Sequence, residues 1–162
     1  MIEGTEEYRR HVIVSLAKTW IGTPYSSGAR LRGIGVDCAQ FPAAVYIEAG
    51  EVEDFPIESY PHDWHLHQGA ERYLATVFKY ARELPKGELP KAGDLVVWQY
   101  GRTFSHGGIV VAWPQVLHSW LATPVGFADA ELDQLLKMKG ESGPGQGLER
   151  KRRFFTVNGG EK

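Results

Sequence analysis

Apolar residues recur every three or four positions near the N-terminus of this chain, at Tyr8, Val12, Ile13, Leu16, Ala17, Trp20 and Ile21. This period predicts an amphipathic helix of about four turns. Thr5 offers an N-cap hydroxyl, and the acidic Glu6 and Glu7 suit the positive end of the helix dipole. Because the residue before a proline is biased away from the helical conformation, we expect the helix to end within Gly22-Thr23-Pro24.

A second apolar run predicts a helix from about Cys38 to Ala49, with Gly50 as its C-cap. Pro42 complicates the first turn, because proline has no N–H and its ring crowds the carbonyl four residues back, which belongs to Cys38. Either the regular helix begins near Ala39 or its first turn is distorted. In both cases we expect Cys38 at the helix boundary.

Loops and a third helix account for the rest of the first half. Residues 25–35 contain Gly, Ser and Arg and predict a loop, and residues 51–63 hold two prolines and five acidic side chains, which is typical of a long surface loop. Residues 64–82 predict the third helix. Its apolar positions are Leu66, Tyr73, Leu74, Val77, Phe78 and Ala81.

The second half has the pattern of strands. Runs rich in β-branched and aromatic residues, separated by short turns, span residues 94–98, 106–112, 116–121 and 152–157. They predict an antiparallel meander and a final strand. We also expect a short helix over residues 128–138 and a flexible Gly-rich loop over residues 140–147. Helices followed by strands indicate the α+β class, with N-terminal helices packed on an antiparallel sheet.

Composition narrows the classes of protein. The chain has 162 residues, is 43% hydrophobic and 23% charged, and predicts a single domain over residues 1–162. A net charge of −2 gives no overall basic field for nucleic acid, and we interpret the basic run at residues 150–153 as a solvated flank of the last strand. The acidic N-terminus lacks a secretory signal and no membrane span is visible, so we expect synthesis in the cytoplasm.

The candidate chemistry begins with Cys38, the only cysteine, which stands at a predicted helix start and cannot form an internal disulfide. Backbone N–H groups at such a position lower the pKa of a thiol, so we expect an activated and exposed nucleophile. His106 and His118 are twelve residues apart around a turn near Trp113-Pro114, and we expect them to face each other on neighbouring strands. One cysteine followed by two strand-borne histidines is the inventory of a cysteine peptidase.

Each of these residues also has a structural interpretation. A lone cysteine is more often a small buried hydrophobic residue than a nucleophile. A lone histidine on a strand is more often a core residue satisfied by the backbone. Only the order and context of all three favour catalysis.

Five motifs resemble those of the NlpC family of bacterial cell-wall cysteine peptidases. They are AKTWIGTPY at residues 17–25, GVDC at 35–38, GDLVVW at 93–98, SHGGIV at 105–110 and LHS at 117–119. The resemblance implies a papain-like core with the cysteine at the head of a helix. It further implies hydrolysis of peptidoglycan stem peptides, often at the γ-D-glutamyl to diaminopimelate bond, without a cofactor.

The same resemblance assigns roles to single residues. It implies that Cys38 is the nucleophile, His106 the base and His118 the group that orients the base. Tyr25 and Ser105 are assigned to the oxyanion and substrate site. Asp37 matches an acidic residue that binds a stem-peptide amine in some members, and its structural alternative is a helix N-cap. For Tyr25 that alternative is a half-buried loop aromatic.

Two stretches, residues 30–35 and 60–66, look most like the phage-encoded, tail-associated members of the family. This predicts phage tail proteins as partners and a virion location. The chain departs from the family pattern at Gln40 and Pro42, where a small residue commonly follows the cysteine by two positions.

The sequence is also compatible with functions other than that of a peptidoglycan endopeptidase. His62, His65 and His67 with Asp63 invite a metal interpretation, but side chains two apart on a helix diverge, so we expect no metal. The same triad would also serve a thiol amidase or an acyltransferase on another acyl substrate. A phage tail structural or assembly protein that retains the fold is the alternative outside the enzymes.

Overall fold

A computed structural model of the chain describes residues 1–57, 71–137 and 149–157. Within these ranges, three helices precede most of the strands: α1 spans Glu6–Lys18, α2 spans Gln40–Glu48 and α3 spans Arg72–Tyr80. As predicted, Thr5 caps α1, accepting a hydrogen bond from the Tyr8 N–H at 3.2 Å. The third predicted helix is confirmed at its C-terminal part, and its first residues lie outside the described ranges.

The main sheet has six antiparallel strands, and these pair in the order β3-β8-β4-β5-β6-β7. In chain order they are β3 Arg82–Glu83, β4 Leu95–Tyr100, β5 Thr103–Ala112, β6 Gln115–Trp120, β7 Thr123–Asp129 and β8 Arg152–Thr156. A separate hairpin of β1 Arg30–Leu31 and β2 Gly35–Val36 lies before α2, and a short helix α4 spans Gln134–Lys137. The arrangement confirms an α+β fold with helices and an antiparallel meander.

The sheet separates two hydrophobic clusters. The larger cluster joins the helices to one face of the sheet through residues such as Phe41 on α2, Ile109 on β5 and Leu117 on β6. The smaller cluster lies on the other face, where Trp98 on β4 packs with Leu136 of α4. Because side chains alternate along a strand, neighbouring residues of β5 and β6 contribute to opposite clusters.

Four predictions about elements need correction. Residues 123–129 form β7, which was not predicted, and this strand takes the first part of the short helix expected over 128–138. Part of the loop over residues 25–35 forms β1 and β2, and Arg82 begins a strand instead of ending a helix. These strands are two residues long or lie at a sheet edge. Their formation therefore depends more on pairing with distant strands than on the local sequence pattern. The Gly-rich loop over 140–147 lies outside the described residues.

No helix within the described ranges combines the length and the apolar character needed to cross a membrane.

Candidate active site

The turn that carries Cys38 is fixed by the side chain of Asp37, which is fully buried. Its Oδ1 atom accepts hydrogen bonds from the N–H groups of Ala39 at 3.0 Å and Gln40 at 2.8 Å, and its Oδ2 atom accepts from the Gly28 N–H at 2.7 Å. Asp37 thus fills the role of an N-cap side chain for the irregular turn that leads into α2, two residues before Ala39, and it also binds the preceding loop to that turn. The structural alternative for Asp37 is therefore present in the fold.

Cys38 lies at the boundary of α2, as predicted, and its side chain is half-buried against β5. The thiol donates to the carbonyl oxygen of Ser105, with Sγ 3.7 Å from that oxygen. The backbone N–H of Gly107 is close enough to the sulfur to lower the pKa of the thiol. Cys38 thus lies against the two residues that flank His106.

Strand irregularities make room for the sulfur at this point. Ser105 is the extra residue of a β-bulge, because Trp98 pairs with His106 whereas Gln99 pairs with Phe104. The ladder between β5 and β6 begins at Gly108, so Ser105 and Gly107 lie beyond it. Their backbone groups therefore do not pair with β6 and can contact the side chain of Cys38.

The resting thiol differs from the sequence-based expectation. Burial raises the pKa of the Cys38 thiol, and the nearby Asp37 carboxylate raises it further, while the backbone N–H groups of Cys38 and Gly107 act in the opposite direction. The helix-start effect that the sequence predicted is present, but desolvation outweighs it. In the free protein Cys38 is a protonated thiol.

The two histidines meet through their rings. The Nε2 atom of His106 lies 2.8 Å from the Nδ1 atom of His118, and both side chains are buried. As predicted, they face each other on one side of the sheet, although they are not a directly opposed pair, because the ladder pairs His118 with Gly108. Residues 106 and 108 lie on the same face of β5, so the imidazoles meet diagonally.

Three aromatic side chains from two neighbouring strands, β4 and β6, surround the His106 ring. Trp98 stacks on it with centroids 5.4 Å apart, and Trp120 and Tyr100 present edges at 4.6 and 5.7 Å. These three residues were not predicted to belong to the site. Their positions on β4 and β6, the strands on either side of His106, are the feature of the sequence that could have indicated it.

Burial lowers the pKa of His118 to about 4, although the charge of Asp133 acts in the opposite direction. His118 is therefore neutral at pH 7. A neutral ring protonated at Nε2 has a lone pair at Nδ1, and this atom can accept a hydrogen bond from the Nε2–H group of His106. That tautomer leaves Nδ1 of His106, a buried atom, in its basic form.

Tyr25 and Ser105 are also adjacent to the cysteine. Tyr25 is half-buried and forms an isolated bridge with Val36, two residues before Cys38. Burial raises the pKa of the Tyr25 phenol, as would a thiolate at Cys38 and as does the Asp37 carboxylate, so the hydroxyl remains a donor at neutral pH. Ser105 is buried, and its backbone carbonyl rather than its hydroxyl contacts Cys38.

Tyr73 is a further neighbour that sequence analysis placed only in a helix. Its hydroxyl donates to the Cys38 carbonyl at 3.0 Å.

As for metals, residues 1–57, 71–137 and 149–157 contain no group of three or more histidine, cysteine or acidic side chains arranged around one point. The segment with His62, Asp63, His65 and His67 lies outside the described residues.

No protein-family model matches the chain. No curated protein sequence matches it either.

Several solved structures share the fold. The NlpC/p60 domain of the peptidoglycan hydrolase SagA is 23% identical, with a TM-score of 0.54 over 75% of this chain and 90% of that one. The peptidoglycan hydrolase RipB from Mycobacterium tuberculosis is 16% identical, with a TM-score of 0.58 over 98% and 69%. RipD from the same organism, described as a non-catalytic NlpC/p60 domain protein adapted to peptidoglycan binding, is 14% identical, with a TM-score of 0.54 over 92% and 97%. The chain therefore has the NlpC/p60 fold.

Proposed function

We propose that this protein is a cysteine endopeptidase that hydrolyses peptidoglycan stem peptides. The observation that carries the proposal is the hydrogen-bonded pair of His106 and His118 beside the strand segment that holds Cys38. A buried histidine pair of this geometry supplies a base with a fixed tautomer, and the cysteine supplies the nucleophile. The fold shared with SagA and RipB, both described as peptidoglycan hydrolases, supports the substrate class.

The proposed reaction is acyl transfer through a thioester. His106 takes the thiol proton, and the Cys38 sulfur attacks the scissile carbonyl. The resulting oxyanion accepts hydrogen bonds from the Cys38 N–H and the Tyr25 hydroxyl. Collapse of this intermediate breaks the C–N bond, and the His106 imidazolium gives its proton to the leaving amine. Water then attacks the thioester, with His106 as base, and regenerates the thiol.

The raised pKa of Cys38 fits a thiol that is activated only in the substrate complex. In the free protein the proton stays on sulfur, hydrogen-bonded to Ser105. Hydrogen bonds that participate in catalysis often tighten only when substrate is bound. We therefore place proton transfer to His106 after binding, and no cofactor enters the reaction.

The finer proposals concern the bond and the setting. We propose cleavage between the γ-D-glutamyl residue and the diamino acid, with Asp37 as a candidate contact for the amine as well as the N-cap of α2. The motif resemblance of residues 30–35 supports delivery within a phage tail and contact with tail proteins. Residues 60–66, which share that resemblance, lie outside the described ranges.

RipD provides a specific reason to retain a second candidate, since a protein of this fold is described as binding peptidoglycan without catalysis. A binding or tail-assembly role is therefore the main alternative. A thiol amidase or acyltransferase would use the same residues on another acyl group. Product analysis separates all three.

The test is incubation with defined muropeptides, followed by mass spectrometry of the products. Wild type should release the fragments expected from γ-D-glutamyl cleavage, Cys38→Ala should release none while remaining folded, and EDTA should leave hydrolysis intact. Binding without cleavage by wild type would favour the non-catalytic role. Full cleavage by Cys38→Ala, or complete inhibition by EDTA while the thiol remains reactive, would overturn the mechanism.

A further inference from the structure

The first turn of α2 lacks one of its regular backbone hydrogen bonds. The Phe41 N–H donates to the Asp37 carbonyl at 3.0 Å, and the Ala43 N–H reaches the Ala39 carbonyl at 3.4 Å. Between them, the residue due to donate to the Cys38 carbonyl is Pro42, which has no N–H. The carbonyl group of the proposed nucleophile therefore needs a donor from outside the helix.

Tyr73 of α3 supplies that donor. Its hydroxyl lies 3.0 Å from the Cys38 carbonyl oxygen, and its side chain is 8% exposed. Burial, together with the Asp37 carboxylate, raises the pKa of this phenol well above its ordinary value, and a thiolate at Cys38 would raise it further. The hydroxyl is therefore a proton donor over the whole pH range in which the enzyme would act.

Gly107 makes the position of Tyr73 possible. A Cβ atom at residue 107 would lie 2.0 Å from the Tyr73 hydroxyl oxygen and 2.9 Å from the ring carbon that bears it. Any side chain there would displace the phenol from Cys38. Since the Cys38 sulfur also lies 3.7 Å from the Ser105 carbonyl oxygen of β5, α2, α3 and β5 converge on Cys38.

We propose that Tyr73 is a positioning residue for Cys38, which substitutes for the helix hydrogen bond that Pro42 removes and thereby fixes the sulfur against β5. The inference rests on the proposed function, because it concerns the nucleophile of that reaction. Without the hydroxyl, the Cys38 carbonyl loses its donor and the first turn can shift. A displaced sulfur reacts less readily with a bound carbonyl and becomes more accessible to a small reagent.

The test begins with Tyr73→Phe, which removes the hydroxyl and retains the ring. The matched control is Tyr46→Phe, because Tyr46 is also buried and also donates to a backbone carbonyl, that of Gly93 at 3.0 Å. We expect Tyr73→Phe to lower kcat about tenfold and to raise the iodoacetamide alkylation rate of Cys38 about threefold, with KM less affected. Tyr46→Phe should lower the melting temperature and leave both rates unchanged.

A second variant tests the hydrogen bond itself. Pro42→Ala provides a helical N–H for the Cys38 carbonyl, so adding it to Tyr73→Phe should return both kcat and the alkylation rate to within about threefold of wild type. Pro42→Ala alone should differ little from wild type. A kcat for Tyr73→Phe equal to that of Tyr46→Phe, or a defect that persists in the double variant, would overturn the proposal.

Failure of the proposed function would be recognised separately. Absence of muropeptide hydrolysis by wild type contradicts the proposed function but leaves the alkylation measurement intact, since Cys38 is the only thiol in the chain. Tyr73 should still control the alkylation rate, and Pro42→Ala should still restore it. Equal alkylation rates in wild type, Tyr73→Phe and the double variant would refute positioning by Tyr73 whatever the substrate.

Discussion

The Nε2 atom of His106 lies 2.8 Å from the Nδ1 atom of His118, although the β5–β6 ladder pairs His118 with Gly108. The diagonal contact depends on a backbone approach that a side chain at residue 108 would prevent. It also depends on a neutral His118, whose low pKa leaves a lone pair available at Nδ1. These two conditions make the role of the pair testable.

Replacing His118 should separate an orienting role from simple packing. His118→Asn keeps a hydrogen-bond acceptor and should retain more activity than His118→Ala, in which the His106 ring can rotate or adopt the wrong tautomer. We expect His118→Ala to lower kcat by about two to four orders of magnitude, with a smaller effect on KM. Steady-state kinetics on a defined muropeptide measure both constants.

Melting temperatures of the same variants provide the control. A packing role predicts that His118→Ala melts earlier while its rate per folded molecule stays near that of wild type. A stable and fully active alanine variant would remove His118 from the site.

Acid should destabilise the fold through His118. Its pKa is about 4 when folded and about 6.5 when unfolded, so between these values the unfolded chain binds more protons. The stability contributed by the neutral ring is complete above about pH 6.5 and is lost as the pH falls toward 4. At 1.36 kcal/mol for each pKa unit, the loss is about 3 kcal/mol.

Urea unfolding at pH 6.5 and at pH 4 measures this loss, and His118→Asn is the reference because its side chain does not titrate. Carboxylates titrate in both proteins, so the difference between their pH slopes isolates His118. Parallel slopes would mean that His118 has an ordinary pKa in the folded protein.

Gly108→Ala should be far more damaging than Gly126→Ala, although both glycines lie in the same sheet. A Cβ at residue 108 would lie 2.9 Å from the Leu117 carbonyl oxygen and 3.3 Å from the His118 Cβ, whereas at residue 126 the nearest atom is 3.7 Å away. Backbone atoms of the β5–β6 ladder cannot move cheaply, so we expect a loss of about 1–3 kcal/mol in the free energy of unfolding. Similar denaturation midpoints for the two variants would contradict this prediction.

The sequence predicted the fold class and the elements with strong local signals. The Thr5 cap, the apolar stripe of α1 and the β-branched runs of β4 and β5 are local features, and the structure contains all of them. It did not predict β7 or the two-residue strands, because their pairing depends on partners distant in the chain. The single-domain prediction stays a prediction.

The site could be predicted in outline, but its electrostatics could not. Spacing and motif resemblance predicted Cys38, His106 and His118 as candidate site residues, which the structure brings near one another, and Pro42 correctly signalled a disturbed first turn. The sequence could not indicate that Tyr73 would donate a hydrogen bond to the Cys38 carbonyl in that turn, because Tyr73 and Cys38 meet only through the packing of α3. The prediction of a low pKa for the Cys38 thiol was wrong, because burial and the nearby Asp37 carboxylate raise it. Neither effect can be derived from the spacing of residues in the sequence.

The charge of Asp37 provides a last prediction, because it opposes thiolate formation at Cys38. Asp37→Asn removes that charge while keeping an oxygen that can cap Ala39 and Gln40, so the pKa of the Cys38 thiol should fall and the pH profile of alkylation should shift toward lower pH. The lost contact with the Gly28 N–H should also reduce stability, by about 1 kcal/mol for a cap interaction. Glu48→Gln, at the other end of α2, is the control and should leave the profile unchanged. Because Cys38 is the only cysteine, each alkylation rate reports on it alone. A profile that stays in place, or shifts toward higher pH, would show that Asp37 acts on Cys38 only through the geometry of the turn.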